Sequence, residues 1–134
     1  MASYDDITLA LLNRAATLSV GSPALPIAMP ERAFTPPTDG KYLDVKDFTN
    51  VPAWSGLNGG KIDQGILQID VVWTRGEGLI AAKAAASAIC DHFPAGHVMR
   101  QGSAAVKVSQ DPWASSPISD TSELRIPVSI PWTA

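Results

Sequence analysis

The stretch KIDQGILQIDVVWTRGEGLIAAKAAASAICDHF, residues 61–93, decides the fold. In its first part, small or apolar residues recur at every second position: Gly65, Leu67, Ile69, Val71 and Trp73. Most of the positions between them are polar, among them Gln64, Gln68 and Asp70. Because side chains alternate across a strand, this part predicts a β-strand with one apolar face and one mostly polar face.

The period of the pattern changes after the glycine-containing turn Arg75–Gly78. Apolar residues then follow at spacings of three and four: Leu79, Ala82, Ala86, Ile89 and Phe93. This spacing predicts one stripe of an amphipathic helix. The helix must lie back on the sheet to bury that stripe, so the stretch predicts an α+β (α/β) domain in which helices cover a sheet.

The composition limits what the whole chain can be. Its 134 residues are enough for a single domain, 1–134, and too few for two. The net charge is −3 and no basic run occurs, which argues against sequence-reading binding of nucleic acid. Cys90 is the single cysteine, so an intrachain disulfide and a cysteine-based zinc site are excluded. Without a basic signal-peptide region or an apolar run of roughly 20 residues, we expect cytosolic synthesis and no membrane.

The flanking segments predict the rest of a mixed, mostly antiparallel sheet with two main helices. An apolar stripe predicts a helix from Tyr4 to about Thr17. The proline-rich segment 21–40 excludes long regular structure, and we expect Phe34 to anchor it in the core. Further strands are predicted at Lys41–Phe48, His97–Gln101 and Ala104–Val108.

Two loops carry large apolar residues that are seldom left in water. The glycine-rich loop Asn50–Gly60 joins two predicted strands, so we expect a hairpin with a long, mobile tip. Its tip holds Trp54 and Leu57, and the later loop around Trp113 is similar. Because aromatic residues dominate interface hot spots, we predict that these three residues contact a partner.

The closing strand, Glu123–Trp132, contains two prolines of the same parity, Pro127 and Pro131. Its other parity is apolar and should face the core: Leu124, Ile126, Val128, Ile130 and Trp132. A central strand needs N–H donors on both sides, and proline has none. We therefore predict an edge strand, or one bent at the prolines, and place Pro127 and Pro131 at an assembly interface.

No grouping of residues predicts catalysis or a bound cofactor or metal. Cys90, Asp91 and His92 are consecutive at a helix end, where neighbours point about 100° apart. The spacing of His92 and His97 matches no metal-ligand motif. The glycines in the Asn50–Gly60 loop fit no phosphate-binding pattern. We expect a protein that is not an enzyme.

The order of these segments carries a resemblance to a known family. In order, they are an N-terminal helix, Ala33-Phe34-Thr35-Pro36-Pro37, the strand with Tyr42-Leu43-Asp44-Val45, the Gly-rich loop, Gly65–Val71, the Gly76–Gly78 turn, the Ala-rich helix, Phe93-Pro94-Ala95-Gly96 and Ile126–Trp132. Over nearly its full length, the chain resembles the small tail terminator (tail completion) proteins of long-tailed bacteriophages.

The resemblance implies a virion structural protein with a mixed sheet and helices packed on it. Family members form a hexameric ring on the head-proximal end of the tail tube, stop its polymerisation and present a surface to head-completion (connector) proteins. The implied partners are copies of this chain, the tail tube protein and a connector protein. The implied location is the head–tail junction of the virion, after assembly in the host cytoplasm.

The resemblance also implies that genomic DNA passes through the ring without specific binding. A basic lumen would hold DNA, so we expect a neutral or acidic one. Gln64, Gln68 and Asp70, on the polar face of the central strand, are the candidates to line it.

Two alternatives stay open. Within the same class, the chain could be another head–tail connector or a minor tail protein. In a different class, it could be a small ligand-binding or enzymatic domain that uses the cleft between sheet and helix. A hexamer would have a mass near six times 14.1 kDa, and a ligand-binding monomer a mass near 14.1 kDa.

Overall fold

The structure, a computed structural model, describes residues 3–21, 24–54 and 60–134. These ranges contain two helices, α1 (Tyr4–Ala16) and α2 (Ile80–His92). The strands are β1 (Ile27–Ala28), β2 (Tyr42–Thr49), β3 (Ala53–Trp54), β4 (Lys61–Ile62), β5 (Gln64–Thr74), β6 (Val98–Gln101), β7 (Ala104–Val108), β8 (Trp113–Ala114), β9 (Ile118–Ser119) and β10 (Glu123–Thr133). The prediction of two helices and a mixed, mostly antiparallel sheet is confirmed.

Eight of the strands form one sheet. Its path runs β1-β2-β5-β10-β7-β6, and β8 and β9 also pair with β10. β1 is parallel to β2, and the other pairings in this sheet are antiparallel. The longest ladder joins β5 and β10, from Glu123 opposite Thr74 to Thr133 opposite Gln64. With 11 residues in each strand, this ladder forms the centre of the fold.

Both helices lie on one face of the sheet, because the apolar parity of β5 and β10 points there. α1 packs over β6 and β7, and α2 packs over β5 and β10. The buried strand residues on this face include Leu43, Val45, Leu67, Ile69, Val71, Ile126, Val128, Ile130 and Trp132. The predicted inward parity of the closing strand is confirmed, with Leu124 half-buried at its start.

The predicted edge position of the closing strand is wrong. β10 pairs with β5 on one side along its whole length, and with β7, β8 and β9 in short pieces on the other. On this second side, Ser115 N donates to Pro127 O at 2.8 Å and Ser109 N donates to Pro131 O at 3.0 Å. A residue's N–H and C=O point to the same side of a strand, so the missing donors also face this side. The prolines interrupt the second ladder without leaving a free edge.

β2 and β5 form the two sides of the predicted hairpin, and the described residues between them continue it past the main sheet. Asn50 N donates to Gln64 O at 2.8 Å, and β3 then pairs with β4, with Trp54 opposite Lys61. We call residues 50–54 and 60–62 the hairpin arm. The predicted contact residue Leu57 lies outside the described residues.

The prediction that Phe34 anchors its segment in the core is wrong. Phe34 is half-buried, and its ring lies 5.0 Å from that of Tyr42, centroid to centroid. Tyr42 has the parity of β2 that points away from the helices, so Phe34 packs on the other side of the sheet. In the ranges that the structure describes, no helix has the length and hydropathy needed to cross a bilayer.

Candidate assembly surface

The sheet has a second face that neither α1 nor α2 covers. Strand alternation places on it Tyr42, Asp44, Lys46 and Phe48 of β2, Ile66, Gln68, Asp70 and Val72 of β5, and Arg125, Pro127, Ser129 and Pro131 of β10. We call this the helix-free face. The register sets Asp44 beside Asp70, and Asp70 beside Pro127. Two carboxylates therefore meet at its centre.

A cluster of ion pairs holds these carboxylates. Arg125 Nη1 lies 2.9 Å from Asp44 Oδ2 and 3.2 Å from Asp70 Oδ2, while Arg125 Nε lies 3.0 Å from Glu123 Oε1. Lys46 Nζ lies 3.3 Å from Asp70 Oδ2. We call these five residues the ion cluster. Three carboxylates and two cations leave it with a net charge of −1.

Asp70 is the buried centre of the ion cluster. Only 3% of the residue is exposed, and Gln68 Nε2 donates to its Oδ1 at 2.8 Å. Burial by itself lowers the pKa of Arg125. Hydrogen bonds to Asp44 and Glu123 raise the pKa by more than burial lowers it, so the net shift is upward. A buried carboxylate is tolerated when its oxygens are paired in this way. The sequence shows these charges, but their convergence depends on the register of three strands.

Large apolar side chains remain exposed on the same face. Phe48, opposite Ile66, is 51% exposed, and Ile118, opposite Arg125, is 60% exposed. Trp113 and Val98 are exposed and follow the same parity. These four are the exposed large hydrophobic residues of the main sheet within the described ranges, and all lie on the helix-free face. Such clustering is typical of a protein–protein interaction surface.

The hairpin arm adds exposed apolar area. Trp54 is 75% exposed, and Val51 beside it is also exposed. Neither side chain belongs to the subunit core. Trp54 and Trp113 are therefore both available for contacts with another molecule, as their predicted role requires.

The two prolines differ in their availability. Pro131 is buried within the subunit, and Pro127 is half-buried on the helix-free face. Their backbone carbonyls already bond within the subunit. Pro127 therefore offers more surface than Pro131, and an assembly contact for either proline stays a prediction.

The predicted lumen residues all lie on β5 with the parity of the helix-free face. Gln64 and Gln68 are half-buried, and Gln64 Nε2 donates to Val51 O at 2.9 Å. Asp70 is covered by its partners in the ion cluster, so its carboxylate is not free. A lumen-facing role for the three residues stays a prediction.

The polar residues at the end of α2 join the two helices. His92 Nε2 lies 2.7 Å from Thr17 Oγ1, and the Arg14 guanidinium donates to His92 O at 2.8 and 3.1 Å. Burial, followed by the charge of Arg14, lowers the pKa of His92. Burial, followed by the charge of Asp91, raises the pKa of the Cys90 thiol, which disfavours a reactive thiolate.

Within residues 3–21, 24–54 and 60–134, no three His, Cys, Asp or Glu side chains are grouped so that they could hold a metal ion.

This chain is similar to known proteins in sequence and in fold. One solved structure is 27% identical to this chain, with a TM-score of 0.78 over 99% of this chain and 96% of the other. A chain of a virion of a native gene transfer agent particle has the same fold, with 16% identity, a TM-score of 0.64 and 98% of each chain covered. No curated protein matches. Residues 6–132 match the family described as phage tail terminator protein, and since this match spans nearly the whole chain, the protein belongs to that family, whose members are structural proteins of the phage tail.

Proposed function

We propose that this chain is the subunit of a hexameric ring that caps the head-proximal end of the tail tube. The ring stops polymerisation of the tube protein and forms the joining surface for a head-completion or connector protein. It acts at the head–tail junction of the virion, and its subunits are made in the host cytoplasm. Membership of the phage tail terminator protein family supports this role.

The observation that carries the proposal is the placement of the exposed apolar residues. The helix-free face presents Phe48, Trp113 and Ile118, and the hairpin arm presents Trp54. In a monomer, these apolar side chains stay in contact with water. Burying them in an interface would stabilise the assembly by roughly 25 cal/mol per Å² of apolar surface. Subunits of a ring bury such area against one another or against the tube.

The second solved relative agrees with this setting. Its chain belongs to the virion of a native gene transfer agent particle, and it shares the fold over nearly the whole of both chains. A place within an assembled particle is therefore compatible with this fold. We extend that setting to the present chain.

We further propose that genomic DNA passes through the ring without specific binding. The net charge of −3 and the acidic excess of the ion cluster leave no basic track on β2, β5 and β10. We place Gln64 and Gln68, which are half-buried on this face, towards the lumen, together with the buried Asp70. Filter binding with double-stranded DNA at physiological salt should show no retention, and tight, salt-sensitive binding would contradict this part.

Electron microscopy of tails assembled without this protein tests the main proposal. Overlong tubes without heads are expected, and added purified protein should restore a uniform length. Tails of normal length in its absence would refute termination. Light scattering on the isolated protein should approach six times 14.1 kDa, or electron microscopy should find rings at high protein concentration or on tubes.

A further inference from the structure

The hairpin arm presents an exposed aromatic residue beside an unpaired positive charge. The pairing of β3 with β4 places Lys61 opposite Trp54, and cross-strand partners lie on the same face of a β-ribbon. Both side chains are exposed, and Lys61 forms no ion pair with any carboxylate of the described residues. The arm therefore offers an apolar anchor together with a cation.

A second exposed surface of the chain has the opposite charge. Residues 109–123, which contain β8 and β9, hold three acidic residues and no basic one. Trp113 and Ile118 of this segment are exposed on the helix-free face. We call residues 109–123 the acidic flank.

Cations of the subunit stand beside two of the three carboxylates in the acidic flank. Arg125 Nε lies 3.0 Å from Glu123 Oε1, and Arg75 Nη1 donates to the backbone oxygen of Asp120 at 2.9 Å. The third carboxylate belongs to Asp111, which is exposed two residues before Trp113. In the ranges that the structure describes, no cation forms an ion pair with Asp111. The flank therefore offers an aromatic residue together with an unpaired anion, which complements the arm.

The arm and the flank of one subunit are too far apart to meet. Trp54 is level with Lys61, whereas Trp113 lies opposite Ser129, which is opposite Gln68. Lys61 and Gln68 are seven residues apart in the sequence, which corresponds to about 23 Å along the strands at roughly 3.3 Å per residue. The complementary surface for each arm must therefore come from another molecule.

We propose that the hairpin arm of one copy docks on the acidic flank of a neighbouring copy, with Trp54 against Trp113 and Lys61 paired with Asp111. The two chemistries match, because aromatic anchors are typical interface hot spots and opposite charges favour the encounter. A contact between two different surfaces of the same chain is heterologous, and such contacts generate a ring when the rotation closes. The inference rests on the proposed ring, and it names the surfaces that join its subunits.

Charge also distinguishes the acidic flank from the far edge of the helix-free face. Val98 is exposed there, but it lies opposite Lys107, and Arg100 follows on the same face of β6. Both cations are exposed, and neither forms an ion pair within the described part of the chain. They would repel Lys61 of an incoming arm, whereas Asp111 attracts it.

The test is an exchange of the two charges in the full-length protein. The variants are Lys61→Glu, Asp111→Lys and the double variant Lys61→Glu/Asp111→Lys. Lys83→Glu/Asp91→Lys is the matched control, because it exchanges two exposed charges of α2. Light scattering over a range of protein concentrations measures assembly, electron microscopy counts rings on tubes, and circular dichroism checks that each variant is folded.

Each single charge reversal should raise the protein concentration needed for half assembly about tenfold or more, and Trp54→Ala and Trp113→Ala should do the same. The double variant restores opposite charges across the contact, so it should assemble within about threefold of the wild-type concentration. The control should stay within about twofold, because exposed charges outside the contact contribute little.

Single variants that assemble as the wild type does would overturn the inference, and so would a double variant that stays as weak as the single ones. Single variants that form normal rings but no longer bind tubes would show that the arm docks on the tube protein instead. If the wild type forms no rings, either alone or on tubes, the proposed function itself fails.

Discussion

Removal of Arg125 should destabilise the subunit strongly, because it holds two carboxylates together inside the ion cluster. Asp44 Oδ2 and Asp70 Oδ2 both lie about 3 Å from Arg125 Nη1, so they are at most about 6 Å apart. At an effective dielectric constant of about 20, two like charges at that distance repel by roughly 3 kcal/mol. Arg125→Met keeps a side chain of similar length and removes the charge.

The expected loss in the free energy of unfolding is about 2–4 kcal/mol. Removing one partner from a fully buried ion pair costs roughly 3–5 kcal/mol. The expected loss is smaller than for a fully buried pair because Arg125 and Asp44 are partly exposed to water, and because Lys46 still forms an ion pair with Asp70. For a chain of this size, such a loss lowers Tm by about 10 °C.

Urea unfolding followed by circular dichroism measures this effect, with two companion variants. Lys46→Met should lower the free energy of unfolding by less than about 1 kcal/mol. Lys46 is more exposed than Arg125, and Asp70 keeps its ion pair with Arg125 in this variant. Arg125→Met combined with Asp70→Asn should recover at least half of the loss, because one of the two repelling charges is gone. Two results would refute the claim that Arg125 offsets the repulsion between Asp44 and Asp70. One is a loss of stability in Arg125→Met no larger than in Lys46→Met, and the other is no recovery of stability in the double variant.

Four further outcomes are expected. Trp54→Ala should weaken ring formation or binding to tubes while changing the free energy of unfolding by less than about 0.5 kcal/mol, since the residue is exposed; a large drop in Tm with intact assembly would be contrary evidence. Gly65→Ala should cost about 2 kcal/mol or more in urea unfolding, because a Cβ there would lie 2.6 Å from the Trp132 ring. Pro127→Val should fold with a change in the free energy of unfolding within about 1 kcal/mol, and hydrogen exchange should find the new amide at position 127 protected by pairing with Ser115, which follows β8; an unprotected amide, or aggregation of this variant, would contradict the paired position of this strand. His92 has a lowered folded-state pKa, so it binds protons more readily in the unfolded chain; stability should fall as pH drops below about 6.5, and His92→Gln should flatten that fall in pH-dependent melting curves.

Local pattern was sufficient to predict the central elements of this protein. The alternation in β5 and β10 and the stripe of α2 depend only on which neighbours share a face, and these predictions hold in the structure. The order of the segments was also enough to point to the tail terminator family, which the match over residues 6–132 confirms. The exposed Trp54 was found because glycine-rich hairpin tips do not bury aromatic side chains.

Only the tertiary structure decided how the strands are arranged side by side. The shared parity of Pro127 and Pro131 reveals that one side of β10 lacks donors, but not that β7, β8 and β9 occupy that side in pieces. The ion cluster likewise needs the register of β2, β5 and β10, which brings Asp44, Asp70 and Arg125 together across up to 81 positions of sequence. Such contacts depend on pairing between distant segments, and residue spacing within one segment carries no information about them.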